Sequence, residues 1–124
     1  MKLHKSKNLF YSFGYAIQGL FSAFKQERNL KFHLIAIFCV LLAGVLLKLP
    51  SIEWIICILL FGIVLISELI NTAIESTVDL VSPEINPLAK QAKDIAASAV
   101  FVSAIISVIV AGFIFLPKLF LIFK

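Results

Sequence analysis

Four polar side chains occur at helical spacing in an otherwise apolar segment, and their types suit them to acid–base or metal chemistry. Glu68, Asn71, Glu75 and Asp79 lie in SELINTAIESTVDL, which continues the apolar run IEWIICILLFGIVLI. On a helix that advances about 100° per residue, the four side chains fall within about 80° of one another. A charge near the bilayer centre is unfavourable by about 2.5 to 3.5 kcal/mol on insertion scales. This face is therefore predicted to contact protein, water or cations.

The simpler interpretation is a helix that extends beyond the membrane and exposes these groups to water. It is adequate for Asp79 alone. It is weaker for Glu68, because the apolar run before Glu68 is shorter than a full span and the next two residues, Leu69 and Ile70, are still apolar. The four residues together favour a binding site in the wall of a membrane protein.

Charged residues beside two other apolar runs are predicted to lie at the same depth. Glu27 precedes the first of these runs, and Lys90, Lys93 and Asp94 precede the last. Carboxylates around a cavity suit Mg²⁺, a hard ion that takes oxygen ligands and usually arrives with phosphate. A lysine beside them would contact phosphate. The sequence has no GxxxxGK[ST] loop and no kinase Gly-rich loop, so neither familiar nucleotide-binding fold is expected.

The composition defines the kind of molecule that must position these groups. The chain has 124 residues, of which 61% are hydrophobic and 15% charged, and its mean hydropathy is +1.07. These values indicate an integral membrane protein with a single domain, 1–124, and no separate soluble part. The net charge of +4 arises from Lys and Arg beside apolar segments, so no nucleic-acid partner is expected.

The sequence pattern predicts an all-α membrane protein with an amphipathic surface helix and three transmembrane helices. Pro50 ends the first span, and Asn86 followed by Pro87 is a start signal for the last. A cleavable signal peptide is the rival interpretation of the first segment, but Gln18 and Lys25 interrupt its apolar run. The expected boundaries are about 8–28 for the surface helix and about 30–49, 52–81 and 87–117 for the spans.

The distribution of Lys and Arg predicts the orientation. Two groups flank one membrane face: Lys2, Lys5, Lys7, Lys25, Arg28 and Lys31 in the leading segment, and Lys90 and Lys93 after the second span. Only Lys48, Lys118 and Lys124 flank the other. By the positive-inside rule the N-terminus is cytoplasmic and the C-terminus outside, which predicts that the polar residues face the side where ATP is available.

Three segments resemble the small prokaryotic diacylglycerol kinase family, which includes the undecaprenol kinases of Gram-positive bacteria. They are GYAIQGLFSAFKQE from Gly14, ELINTAIESTVDL from Glu68, and PLAKQAKDIAASAV from Pro87. The resemblance covers nearly the whole chain, and all polar positions of the pattern E-x-x-N-x-x-x-E-x-x-x-D, followed by K-D, are present. It implies a surface helix plus three spans in a bacterial membrane, and a homotrimer whose active sites combine residues of neighbouring subunits.

The resemblance also implies roles for individual residues. Glu68 corresponds to the catalytic base, and Glu27 and Glu75 correspond to ligands of Mg²⁺ that also contact the nucleotide. Asn71 and Asp79 are supporting residues. The remaining positions implied to lie near ATP are Tyr15, Glu84, Lys93 and Asp94.

The expected activity is ATP- and Mg²⁺-dependent phosphorylation of a membrane lipid alcohol. The segment KQERNLKFHL looks more like that of undecaprenol kinases, with phosphorylation of diacylglycerol as the alternative. A non-enzymatic alternative is a small ion-conducting or transport subunit whose acidic stripe lines a pore. His4 and His33 are interpreted as a tail residue and a headgroup-level residue rather than as ligands.

Overall fold

The chain folds into four consecutive helices in a computed structural model that describes residues 8–124. Residues 1–7, which include His4, Lys2, Lys5 and Lys7, lie outside the described part. The helices are α1 (Leu9–Gln26), α2 (Arg28–Leu46), α3 (Ser51–Val81) and α4 (Pro87–Ile122). No strand occurs between residues 8 and 124, so the predicted all-α class is confirmed.

Helix α1 is the amphipathic helix that the sequence predicts. Its N-terminus is capped by Asn8, whose Oδ1 accepts a hydrogen bond from the Phe10 amide. Ala23 is buried against the other helices, whereas large apolar side chains such as Phe10 and Phe21 stay exposed. An apolar exposed face together with polar residues elsewhere is typical of a helix in the membrane interface.

A single residue, Glu27, separates α1 from α2. Its backbone is extended, with φ −106° and ψ 112°, so it ends one helix and starts the next. Its amide still donates to the Ala23 carbonyl at 2.9 Å. The Glu27 carboxylate therefore lies at the junction of the surface helix and the first span, at the N-terminus of α2, where the helix dipole favours negative charge.

The remaining three helices are long and apolar enough to cross a membrane. Their most apolar windows have mean hydropathies of 2.1, 2.4 and 2.8 in chain order. At 1.5 Å per residue, α2 is about 29 Å long and matches a hydrocarbon core of about 30 Å, whereas α3 and α4 reach about 46 and 54 Å. The two long helices must therefore extend beyond the hydrocarbon.

The turn between α2 and α3 packs closely at one end of the molecule. Lys48 adopts a positive φ of 53°, and the Leu49 amide donates to the Gly44 carbonyl at 3.0 Å, which together terminate α2 in a Schellman-like arrangement. A Cβ atom at Gly44 would lie 2.6 Å from the Trp54 ring. Glycine therefore allows the indole of α3 to approach the α2 backbone.

Helices α3 and α4 form the main packing interface. The turn between them ends in Asn86, whose Oδ1 accepts from the Leu88 amide at 2.8 Å, and Pro87 starts α4 as its sequence predicts. Far from this turn, Lys118 of α4 lies 2.6 Å from Glu53 of α3. Pro117 does not end α4, which continues to Ile122.

A cleft separates α2 from α4. Helix α2 packs against α3, but no Cα atom of α2 lies within 8 Å of one in α4. The buried core, around Leu49, Cys57 and Ile114, joins the helices near the α2–α3 turn. Away from that core the cleft stays open, and its floor is the face of α3 that leads to Glu68.

Candidate active site

The four polar residues of α3 form a gradient of burial along one face. Glu68 is 1% exposed and is the largest fully buried side chain among the described residues, and Asn71 is also buried at 7%. Glu75 is half-buried and Asp79 is exposed. Asp79 is exposed, as the simple interpretation of a water-exposed extension expects, whereas Glu68 is enclosed by the chain itself.

The depth of these residues follows from helix geometry. At 1.5 Å per residue, Glu68 lies about 26 Å and Asp79 about 42 Å along α3 from Ser51, so Glu68 is near the limit of a hydrocarbon core of about 30 Å. Glu27 lies about 29 Å along α2 from Leu46 by the same measure. Because α2 and α3 run antiparallel from a short turn, Glu27 is level with the segment between Glu68 and Asn71.

Three carboxylates therefore gather at this end of the helices. We call Glu27, Glu68 and Glu75 together the carboxylate end. Burial raises the pKa of Glu27, and the charge of Glu75, a hydrogen bond shared with Glu75, and the charge of Glu68 raise it further. Asn71 Nδ2 donates to Glu75 Oε1 at 3.4 Å. The neighbouring carboxylates therefore add to burial in disfavouring the charged form of Glu27.

The donor set at the carboxylate end fits Mg²⁺ bound with a phosphate. Between residues 8 and 124 there is no group of three or more His, Cys, Asp or Glu arranged to hold a metal ion. Mg²⁺ keeps several waters and is usually bound by one or two carboxylates plus substrate phosphates. Glu27 and Glu75 are such a pair, and the buried Oδ1 of Asn71 has no hydrogen-bond partner in the described chain.

The residues predicted to contact nucleotide lie beside this end but are spread over its surface. Lys93 of α4 forms an ion pair with Asp79 of α3. Lys93 and Asp79 also line a cavity of about 300 Å³ together with Glu84. This cavity opens at the α3–α4 turn, one to two helical turns beyond Glu75.

Two of the predicted residues are not brought to the carboxylate end by this chain. Asp94 is exposed and pairs with Lys90 at 2.6 Å. Tyr15 is 51% exposed on α1, and its side chain makes no hydrogen bond to any described residue. One chain therefore assembles Glu27, Glu68 and Glu75 but leaves Asp94 and Tyr15 outside.

Sequence reasoning missed the partner of Glu68. His33 of α2 places Nε2 2.9 Å from Glu68 Oε1, and the two side chains are 24% and 2% exposed. The contact is at ion-pair distance but is not aligned as a hydrogen bond, so both Glu68 oxygens lack one among residues 8–124. The signal was the spacing of Asn29 and His33, which puts two polar side chains on the α3-facing side of an apolar helix.

Two adjoining cavities meet at this pair. A cavity of about 260 Å³ is lined by Asn29, His33, Glu68 and Asn71 together with apolar residues of α4. An apolar cavity of about 280 Å³ continues from it along the cleft between α2 and α4, and His33 and Ala104 line both. An apolar chain in the cleft can therefore bring a polar group to Glu68.

Fold and site together define an integral membrane protein in which a buried carboxylate lies between an apolar cavity and a polar surface. The chain belongs to the prokaryotic diacylglycerol kinase family, whose model matches residues 14–115. It is accordingly a lipid kinase, and the predicted family is confirmed. The family match favours this class over the ion-conducting alternative.

Curated relatives cover most of the chain. An undecaprenol kinase of Bacillus subtilis is 51% identical over 110 residues, which are 89% of each chain. A diacylglycerol kinase of Synechocystis is 45% identical over 113 residues, covering 90% of this chain and 65% of the relative. A diacylglycerol kinase of Helicobacter pylori strain J99 is 39% identical over 100 residues, covering 80% of this chain and 77% of the relative.

Proposed function

We propose that this lipid kinase transfers the γ-phosphoryl group of ATP to the hydroxyl of undecaprenol, with Mg²⁺ as the required metal ion. The observation that carries the proposal is the position of Glu68. Its buried carboxylate lies where the apolar cavity of the α2–α4 cleft meets the polar cavity. A lipid alcohol in the cleft would present its hydroxyl to that carboxylate while its chain stayed in an apolar environment.

Glu68 acts as the general base in this proposal. As the lipid oxygen forms its bond to the γ-phosphorus, the bond from that phosphorus to the β–γ bridging oxygen breaks and ADP leaves. The proton of the lipid hydroxyl passes to a Glu68 oxygen. Both Glu68 oxygens lack a hydrogen bond in the described chain, so they are available to accept it.

Glu27 and Glu75 would hold the metal ion. When bound, Mg²⁺ supplies neutralisation of the phosphate charge that phosphoryl transfer requires. The two carboxylates come from different elements, the α1–α2 junction and α3, so they fix the nucleotide phosphates relative to Glu68. Asn71 supports this arrangement by donating to Glu75.

The nucleotide would lie over the α3–α4 turn. Lys93 would exchange its ion pair with Asp79 for the phosphates and offset the charge on the transferred group, and Glu84 borders the same cavity. Asp94 and Tyr15 lie outside the site of their own chain. This separation supports a homotrimer in which a neighbouring subunit supplies residues to each active site.

The site requires ATP at the carboxylate end, so we propose that this end faces the cytoplasm of a bacterial cell. The Lys and Arg distribution supports a cytoplasmic N-terminus and an external C-terminus. A cysteine introduced at Ser82 should then react only with reagents on the cytoplasmic side, and one at Lys124 only with external reagents. Labelling of the cysteine at position 82 from outside intact cells would contradict this orientation.

The choice of lipid rests on the Bacillus subtilis relative, whose name is undecaprenol kinase. Diacylglycerol is the alternative, since the other two relatives are named for it. The deciding experiment follows phosphate transfer from labelled ATP to each lipid in mixed micelles, with Mg²⁺ and with a chelator. We expect faster phosphorylation of undecaprenol and none without divalent cation. A preference for diacylglycerol would overturn the substrate, and no lipid product would overturn the function.

A further inference from the structure

The side chain that contacts Glu68 is His33, and no other residue in the described chain forms an ion pair with this carboxylate. His33 Nε2 lies 2.9 Å from Glu68 Oε1. A buried carboxylate without a partner is strongly unfavourable. This contact joins α2 to α3 at one of the two Glu68 oxygens.

The two lysines at the start of α4, Lys90 and Lys93, form ion pairs with other carboxylates. Lys93 forms an ion pair with Asp79. Asp79 lies about three helical turns beyond Glu68 on α3. Lys90 pairs with Asp94 on the surface. Among residues 8–124, His33 is the only Lys, Arg or His side chain within 4.0 Å of the Glu68 carboxylate.

The location of His33 connects this contact to the substrate. Its ring lines both the polar cavity that contains Glu68 and the apolar cavity along the α2–α4 cleft. A hydroxyl that moves from the apolar cavity to Glu68 would therefore pass beside the imidazole. Hydrogen bonds at catalytic groups are often poorly aligned without substrate and tighten in the complex, which is consistent with the short but unaligned contact seen here.

We propose that His33 is a positioning residue, which donates its Nε2 hydrogen to Glu68 and aims the carboxylate at the lipid hydroxyl at the mouth of the apolar cleft. The inference rests on the proposed role of Glu68 as base. It gives His33 no contact with the metal ion or with ATP. Its loss should therefore slow the chemical step and leave nucleotide binding unchanged.

The test is a double-mutant cycle in single-turnover phosphorylation of undecaprenol at saturating Mg²⁺ and ATP. Replacing a side chain that orients a metal ligand typically costs about 10- to 100-fold, and we expect a loss of similar size when the side chain that orients Glu68 is replaced in His33→Leu. His33→Gln keeps a donor of similar reach and should stay within a few-fold of the parent. Phe32→Leu, at a neighbouring position that is 62% exposed, is the matched control and should be unchanged.

The decisive arm places His33→Leu on the Glu68→Gln background, where it should cause no further loss of rate. An equal loss on both backgrounds, a His33→Gln variant as slow as His33→Leu, or a change confined to the KM for lipid would overturn the proposal. If His33→Leu does not assemble, His33→Asn replaces it. The asparagine side chain is too short to reach Glu68, so the same loss of rate is expected. If Glu68→Gln were fully active, the proposed role of Glu68 as base would be refuted. If the parent protein phosphorylated no lipid, the proposed function would be refuted.

Discussion

The two ends of the helix bundle differ in how their carboxylates are paired. At one end Glu53 lies 2.6 Å from Lys118, with both side chains about a quarter exposed, at 23% and 24%. Lys118 also donates to the Ile114 carbonyl at 3.2 Å. At the carboxylate end, Glu27, Glu68 and Glu75 have only His33 as an ion-pair partner within the described chain. One end is matched in charge and the other is not.

In the proposed function, this difference separates an ion pair between two helices from carboxylates that would bind a ligand. An unpaired buried charge costs stability, so a chain that already pairs Glu53 with Lys118 would pair the other carboxylates too if packing were their only role. Lys93 lies near enough to Glu75 for an electrostatic interaction, but it forms its ion pair with Asp79. In the proposed function, a bound metal ion would supply the positive charge that ion pairs within the described chain do not supply to this end.

The largest effect is expected from Glu75→Gln. Removing one of two carboxylate ligands should bring turnover below detection at Mg²⁺ concentrations that saturate the parent, with insertion and assembly retained. Rates measured across a Mg²⁺ titration, with a binding assay for the metal–nucleotide complex, check this. Glu53→Gln makes the same change at the matched end and should keep the parent's Mg²⁺ dependence. Normal Mg²⁺ dependence in Glu75→Gln would remove Glu75 from the metal site.

Glu68→Gln should have the next largest effect. The amide keeps the shape of the carboxylate but cannot accept the proton, and loss of a general base typically lowers the rate by about 10²- to 10⁴-fold. The loss should fall on the chemical step in single-turnover phosphorylation, with ATP and lipid binding kept. Asp79→Asn, on the same face but exposed, should lose much less. Turnover of Glu68→Gln within a few-fold of the parent would refute the base assignment.

The smallest effect is expected at the matched end and on stability alone. Lys118→Met keeps the apolar stem but leaves Glu53 without its partner, and should cost about 1 to 3 kcal/mol, between the values of exposed and buried pairs. Thermal unfolding in detergent measures the loss. Adding Glu53→Gln should recover part of it, and activity per folded molecule should not change. An unchanged Tm in Lys118→Met would show that the pair does not stabilise the fold.

The architecture could be predicted from sequence because it depends on local signals. Apolar runs of sufficient length define α2, α3 and α4, and the Asn86–Pro87 cap defines where α4 begins. Pro117 was less informative than Pro87, since it lies inside α4. A membrane helix tolerates proline where neighbouring groups satisfy the freed carbonyl, and no local signal reveals those neighbours.

Helical periodicity predicted the part of the site that lies on one helix, and the position of Glu27 beside the first span predicted its depth. Glu68 and Glu75 lie on one face of α3 because of helical periodicity alone. The contact between His33 and Glu68 depends on the height of α2 relative to α3, which the Gly44–Trp54 packing and the turn at Lys48 determine. Such long-range geometry has no signature in spacing, so a lone histidine in an apolar helix was interpreted as a headgroup-level residue.

The single-residue junction at Glu27 connects movement of α1 directly to the start of α2. No loop lies between α1 and α2 to absorb movement, and α1 is about 27 Å long at 1.5 Å per residue. A change in the depth of α1 among the headgroups would therefore act on the Glu27 backbone and on the distance of its carboxylate from Glu75. We expect turnover to respond to bilayer thickness and lateral pressure, and rates in vesicles of graded acyl-chain length would measure that mechanical coupling.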